Sequence, residues 1–140
     1  MLQRRQTLWL LLAAVSAILT FKYSFFSGNK LIKAEKPFTY LTATSSIVIL
    51  ILTVALVSAI VIDVFLYKNR KLQLRIALAA AAVSVLNIFL YYSETKNFVA
   101  GEGNYDLTSI LVFAIPVFLI FALSGIYKDE KLVKSLDRLR

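Results

Sequence analysis

One carboxylate, Asp63, stands inside a long apolar stretch, between Ile60-Val61-Ile62 and Val64-Phe65. Ionisable side chains at membrane depth are expensive and frequently mark ion or proton pathways. Asp63 precedes Tyr67 by four residues, roughly 6 Å of helix at about 1.5 Å per residue. At that depth it reaches water or pairs with Lys68, Arg70 or Arg5. An interfacial ion pair is the first reading and a functional site the alternative. Asn87, among Val85, Leu86, Ile88 and Phe89, is the second intramembrane polar candidate. An amide there is expected to bond another helix, for roughly 0.6–2 kcal/mol, with a pathway residue as the alternative. Lys22 stands near one end of an apolar run, where a lysine stem snorkels to the interface.

Beyond these positions the chemistry thins out. The chain has no cysteine and no histidine, which excludes disulfides, thiolate metal sites, thiol catalysis and imidazole chemistry. Thr44, Ser45 and Ser46 cluster without a base, which is ordinary helix-end chemistry rather than an activated nucleophile. Paired carboxylates and a phosphate loop are missing. The expectation is therefore no enzyme, no cofactor and no metal site. A net charge of +8 would suggest nucleic acid in a soluble domain. Here the charges fall in short connectors, so nucleic acid is not an expected partner.

The last residues form a second candidate. Leu132, Val133, Leu136 and Leu139 follow i, i+1, i+4, i+7 spacing, one helical face. Lys131, Lys134, Asp137, Arg138 and Arg140 fill the rest. Neither glycine nor proline follows Gly125, so the segment 128–140 predicts a short amphipathic helix, continuous with the preceding element or close behind it. Such a helix lies on the inner leaflet through apolar burial and basic charge, or docks on a protein. Lipid contact is the first of these readings.

These candidates need elements to position them. Hydrophobic residues make up 59% of the 140, with mean hydropathy +0.76, against roughly 45–50% apolar in soluble domains. A spanning helix needs about 20 apolar residues. Four blocks qualify: 7–26, 44–67, 72–92 and 107–127, with a cytoplasmic tail at 128–140. Trp9, Tyr23, Phe25, Phe26, Tyr67, Tyr91, Tyr92 and Tyr127 stand near their ends, where aromatic rings anchor at headgroups. The first block has no small-residue cleavage site after its apolar run, so it reads as a retained helix rather than a signal peptide. The predicted fold is all-α, a single domain over 1–140, with four transmembrane helices and a short amphipathic C-terminal helix. Segments 27–43 and 93–106 read as turn-rich connectors, neither long enough to fold alone. The very short link at 68–71 predicts an antiparallel hairpin of spans two and three. Ala77, Ala79–Ala82 and Ser84 give span three a small-residue surface, for packing inside the bundle or against a partner helix. Pro116 removes one backbone bond from span four.

Charge sets the orientation. The N-terminal segment, the 68–75 link and the tail hold eleven basic residues, and the two other connectors hold five. Lysine and arginine are retained on the cytoplasmic side of short loops. Both termini are therefore expected in the cytoplasm. The four lysines of the first outside connector run against that trend.

Three stretches also carry a resemblance: Gln3-Arg4-Arg5-Gln6-Thr7 running into an apolar helix, the basic link Lys68-Asn69-Arg70-Lys71-Leu72-Gln73-Leu74-Arg75, and the tail from Lys128 to Arg140. Together they resemble a family of four-span bacterial membrane proteins, domain of unknown function 4293, typical of the Bacteroidota. Arg5 stands where that pattern has an apolar residue. The resemblance implies a bacterial inner-membrane location and this topology, and it brings no activity with it. By elimination, the expected role is a non-enzymatic accessory or structural subunit of a larger membrane assembly, partnered by lipid and by another membrane protein or itself. The alternative is a small homo-oligomeric transporter or channel with Asp63 and Asn87 lining the path.

Overall fold

The computed structural model describes residues 3–30 and 35–137. In chain order the elements are α1 (Gln3–Leu19), β1 (Phe26–Lys30), β2 (Phe38–Leu41), α2 (Ile47–Phe65), α3 (Arg70–Thr95), β3 (Phe98–Tyr105), a single 3₁₀ turn (Leu107–Ser109) and α4 (Ile110–Asp137).

Three helical stretches, Ile47–Phe65, Arg70–Thr95 and Leu107–Val133, are long and apolar enough to cross a membrane. Helix α1 is apolar but shorter. Its 17 residues span about 25 Å, against a hydrocarbon layer about 30 Å thick. The block expected to stay helical through Phe26 turns at Thr20–Tyr23 instead, and Phe26 already belongs to β1. Between α2 and α3 the backbone N–H of Leu66 bonds back to Ile62 and Asp63, and the Asn69 side chain accepts from the N–H of Leu72. This Asx cap satisfies one of the free N–H groups that every helix start exposes. It fixes the antiparallel hairpin that the short link predicts.

The helices close into a ring. Each packs on its neighbour in sequence, and α1 packs on α4. The central core joins Leu10, Ala13, Ala14 and Ala17 of α1 to Leu56 and Ile60 of α2, Ala80 of α3, and Ile115, Leu119 and Ala122 of α4. Small side chains at these positions let the helix backbones approach closely. Ala77, Ala80 and Ser84 of α3 face inward, so this part of the small-residue surface is spent inside the bundle. Ala79 and Ala82 face out.

An all-α architecture is not what the chain adopts. The two connectors pair with each other in a three-stranded antiparallel sheet of order β2-β1-β3. Neither connector folds alone. Both emerge at the same end of the ring, and their unpaired backbone groups satisfy one another. Gly28 makes the pairing possible, because a Cβ there would stand 2.6 Å from the Cα of Gly103. Aromatic side chains seal the sheet onto the helices. Phe25 packs on Tyr91 with ring centroids 4.9 Å apart, and Phe26 packs edge-on against Phe98 at 5.1 Å.

The tail is no separate helix. Helix α4 runs unbroken through Pro116 to Asp137, 28 residues or about 42 Å, which is longer than the hydrocarbon is thick.

Candidate functional site

At the end away from the sheet, three helices converge on one carboxylate. Asp129 of α4 is 5% exposed. Arg70, in the first turn of α3, places Nη1 3.1 Å from its Oδ2, and the side-chain amide of Gln6 in α1 donates to the same oxygen. Gly125, one turn earlier in α4, leaves the room that Gln6 occupies: a Cβ there would lie 2.7 Å from Gln6 Cγ. Trp9, expected as a headgroup anchor, instead lays its ring on Phe118 and Phe121 of α4, beside this clasp.

Arg70 is thus committed to Asp129, and Asp63 is left without it. Asp63 is fully buried, and neither carboxylate oxygen has a hydrogen-bond partner. The interfacial ion pair expected from the sequence is not formed among the described residues. The reason is rotational. Asp63 lies on the inward face of α2 with Ile60 and Leu56, while Arg70 turns toward α4. Gln73 of α3 reaches the same turn, but its amide donates to the backbone carbonyl of Asp63, at 3.2 Å.

Asn87 lies deeper toward the sheet. Its Nδ2 donates to Thr53 Oγ1 of α2 at 3.0 Å, the interhelical bond expected of it. Its Oδ1 has no partner among the described residues. Thr53 and Asp63 lie ten residues apart on α2, about 15 Å. Ile60 and Leu56, both buried, fill the core between them. The two sequence candidates therefore both face the core, Asp63 from α2 and Asn87 from α3, but in separate polar islands.

At the sheet end, Asp106 ties β1 to the start of α4. One carboxylate oxygen accepts from Ser27 at 2.8 Å and the other from the Ser24 hydroxyl. Its backbone N–H bonds to the carbonyl of Phe25. On the exposed side of the sheet, Glu102 accepts from Asn29 at 2.9 Å and from Lys36 at 3.0 Å. The bond from Asn29, and then Lys36, holds the Glu102 carboxyl below its ordinary range.

The tail candidates divide. Lys131, Leu132 and Val133 lie on α4 and are exposed, Leu132 and Val133 at 53% and 44%. Among the described residues nothing covers that apolar pair. The backbone at Lys134 and Leu136 continues α4, but their side chains, together with Arg138, Leu139 and Arg140, lie outside the described residues. Among the described residues of this segment the buried one is acidic, Asp129, which the charged sequence around it does not single out. Its signal was its position one turn after Gly125.

Among the described residues no group of acidic side chains is arranged to hold a metal ion. The model of the family "Domain of unknown function (DUF4293)" matches residues 2–139. The chain belongs to the DUF4293 family. No curated protein matches it. Family membership covers the clasp, Asp63, Asn87 and the sheet alike, and it attaches a chemistry to none of them.

Proposed function

We propose that this DUF4293 chain crosses a bacterial inner membrane four times, with both termini cytoplasmic, and serves as a non-enzymatic accessory or structural subunit of a larger membrane assembly. The observation that carries the reading is the distribution of exposure. Large apolar side chains lie exposed along the outward face of every helix: Leu8, Leu11, Val15 and Ile18 of α1, Ile51 and Ile62 of α2, Leu78 and Phe89 of α3, Val117 and Ile120 of α4. A water-facing bundle does not carry apolar patches on that scale, and lipid or a partner protein covers them at no cost. Helix α1 shares this pattern and packs lengthwise between α2 and α4, which supports counting it as a span despite its length. The residues Thr20–Phe26 supply the remaining depth. The basic clusters flank the clasp end, which supports placing that end in the cytoplasm.

Purification of the tagged native protein in mild detergent, with mass spectrometry of what accompanies it, tests the subunit reading. Stoichiometric membrane-protein partners are expected. Leu136→Asp should release a partner docked on the tail. Replacing Lys131, Lys134 and Arg138 with Gln should instead weaken a tail held by lipid charge.

A second reading, a small homo-oligomeric transporter, is favoured by Asp63 alone, a buried carboxylate without partners in a spanning helix. It expects Asp63→Asn to fold and assemble normally and yet fail to complement a deletion. A variant that complements fully removes this reading's best residue.

A further inference from the structure

Near the sheet end, α3 and α4 part to leave a cleft of about 430 Å³ that opens sideways between them. Phe25, Phe89, Tyr92, Tyr105 and Phe113 form its apolar walls, with Ser109 at the start of α4. Its volume lies within the roughly 300–1,000 Å³ of small-molecule sites, and its lining is of their kind. Phe89, Tyr92 and Phe113 are exposed, so the opening faces whatever surrounds the spanning helices. The cleft occupies Ile88–Tyr92 of α3 and runs from Ser109, which ends the 3₁₀ turn, to Phe113 of α4, little more than one turn of each helix. A transmembrane partner helix would need a groove several turns long. The aromatic rim lies where interfacial rings are found, at the membrane end of the helices. One turn beyond it, the Lys96 ammonium sits over the Tyr92 ring, 5.4 Å from its centroid. Among the described residues Lys96 forms no salt bridge. The nearby Glu94 carboxylate accepts from Asn97.

We propose that this cleft binds one anionic phospholipid from the leaflet on the sheet side, with an acyl chain between the aromatic walls and the phosphate against Lys96. The short apolar slot receives the chain segment nearest the headgroup, and the ammonium beside it supplies the complementary charge. The proposal needs α3 and α4 to lie in a membrane and is independent of whether the protein is a subunit or a transporter.

Delipidated full-length protein in mild detergent, mixed with phosphatidylglycerol or phosphatidylcholine and read by native mass spectrometry, tests it. The expected result is one retained phosphatidylglycerol, with phosphatidylcholine held about fivefold more weakly, the scale of one lysine near an anionic surface. Lys96→Gln should erase that preference and leave apolar retention intact. Ser109→Phe should fill the cleft and lose both lipids, with helical circular dichroism unchanged. Wild-type protein that retains neither lipid overturns the proposal. So does a Lys96→Gln variant with the preference unaltered, which needs no change in the core and reads out even if Ser109→Phe fails to fold. A second polypeptide retained in place of lipid, and lost in Ser109→Phe, would reassign the cleft to a protein partner.

Discussion

Asp129 and Arg70 meet at 3.1 Å, and through them the last helix of the ring is fastened to the start of the third. The same carboxylate oxygen receives the Gln6 amide from the first helix, so one residue ties three of the four helices at the end opposite the sheet. Arg70 keeps 30% of its side chain exposed while Asp129 keeps 6%, so the carboxylate bears most of the desolvation.

That asymmetry orders two mutations. Arg70→Ala leaves the buried Asp129 carboxylate with only the neutral Gln6 amide and should cost about 3–5 kcal/mol. Asp129→Ala should cost less, because the Arg70 guanidinium, 30% exposed, can turn to water. SDS-titrated unfolding in detergent micelles, followed by circular dichroism, measures both. The double variant should fall short of the sum of the two.

The Asn87–Thr53 bond is expected to be worth about 1 kcal/mol, within the roughly 0.6–2 kcal/mol found for polar pairs between membrane helices. Thr53→Val and Asn87→Leu should each destabilise the bundle in the same assay. Their combination should cost less than the two added together, since it removes both ends of one bond. Fully additive losses would mean that the bond contributes nothing.

The exposed side of the sheet has its own pH dependence. Glu102 is held below its ordinary value of 4.5 by Asn29 and then Lys36. A carboxyl lowered in the folded state contributes stability that is present above the ordinary value and lost as pH falls through the lowered one. Amide-exchange protection of β1 and β3 should therefore be steady at neutral pH and decline below about 4.5. In Glu102→Gln that decline should be absent. Both groups are exposed, so the effect should be small and weaker in high salt.

Hydrophobic length carried most of the architecture to the surface of the sequence. Blocks of 20 or so apolar residues announce spanning helices because lipid tolerates little else, and α2, α3 and α4 lie where those blocks are. What the blocks did not announce was anything that depends on two distant segments meeting. Phe38-Thr39-Tyr40-Leu41 carries a strand's composition, but it pairs on β1, and the other partner of β1, the strand Phe98–Tyr105, lies in the far connector. Asp63 and Asp129 show the same limit in the site. Hydropathy marked Asp63 as intramembrane, yet rotation about its helix axis decided that it faces the core without a cation. Nothing in Lys128-Asp129-Glu130-Lys131 singles out Asp129, which is buried where Gly125 admits Gln6 beside it. Helix formers without glycine or proline after Gly125 made the tail's helicity legible, but not whether it continued span four or followed it, which α4 settles by running unbroken to Asp137.

Side-specific thiol labelling tests the central claim, a four-span bundle with both termini in the cytoplasm, and the native chain has no cysteine to interfere. Single variants Arg4→Cys, Glu35→Cys, Asn97→Cys and Ser135→Cys place one thiol in the first turn of α1, one in each connector of the sheet and one in the tail. In cells with a permeabilised outer membrane, an impermeant maleimide should label Glu35→Cys and Asn97→Cys at once. Arg4→Cys and Ser135→Cys should label only after lysis. Labelling of Arg4→Cys from outside, together with Glu35→Cys, would leave α1 uncrossed and contradict the four-span account.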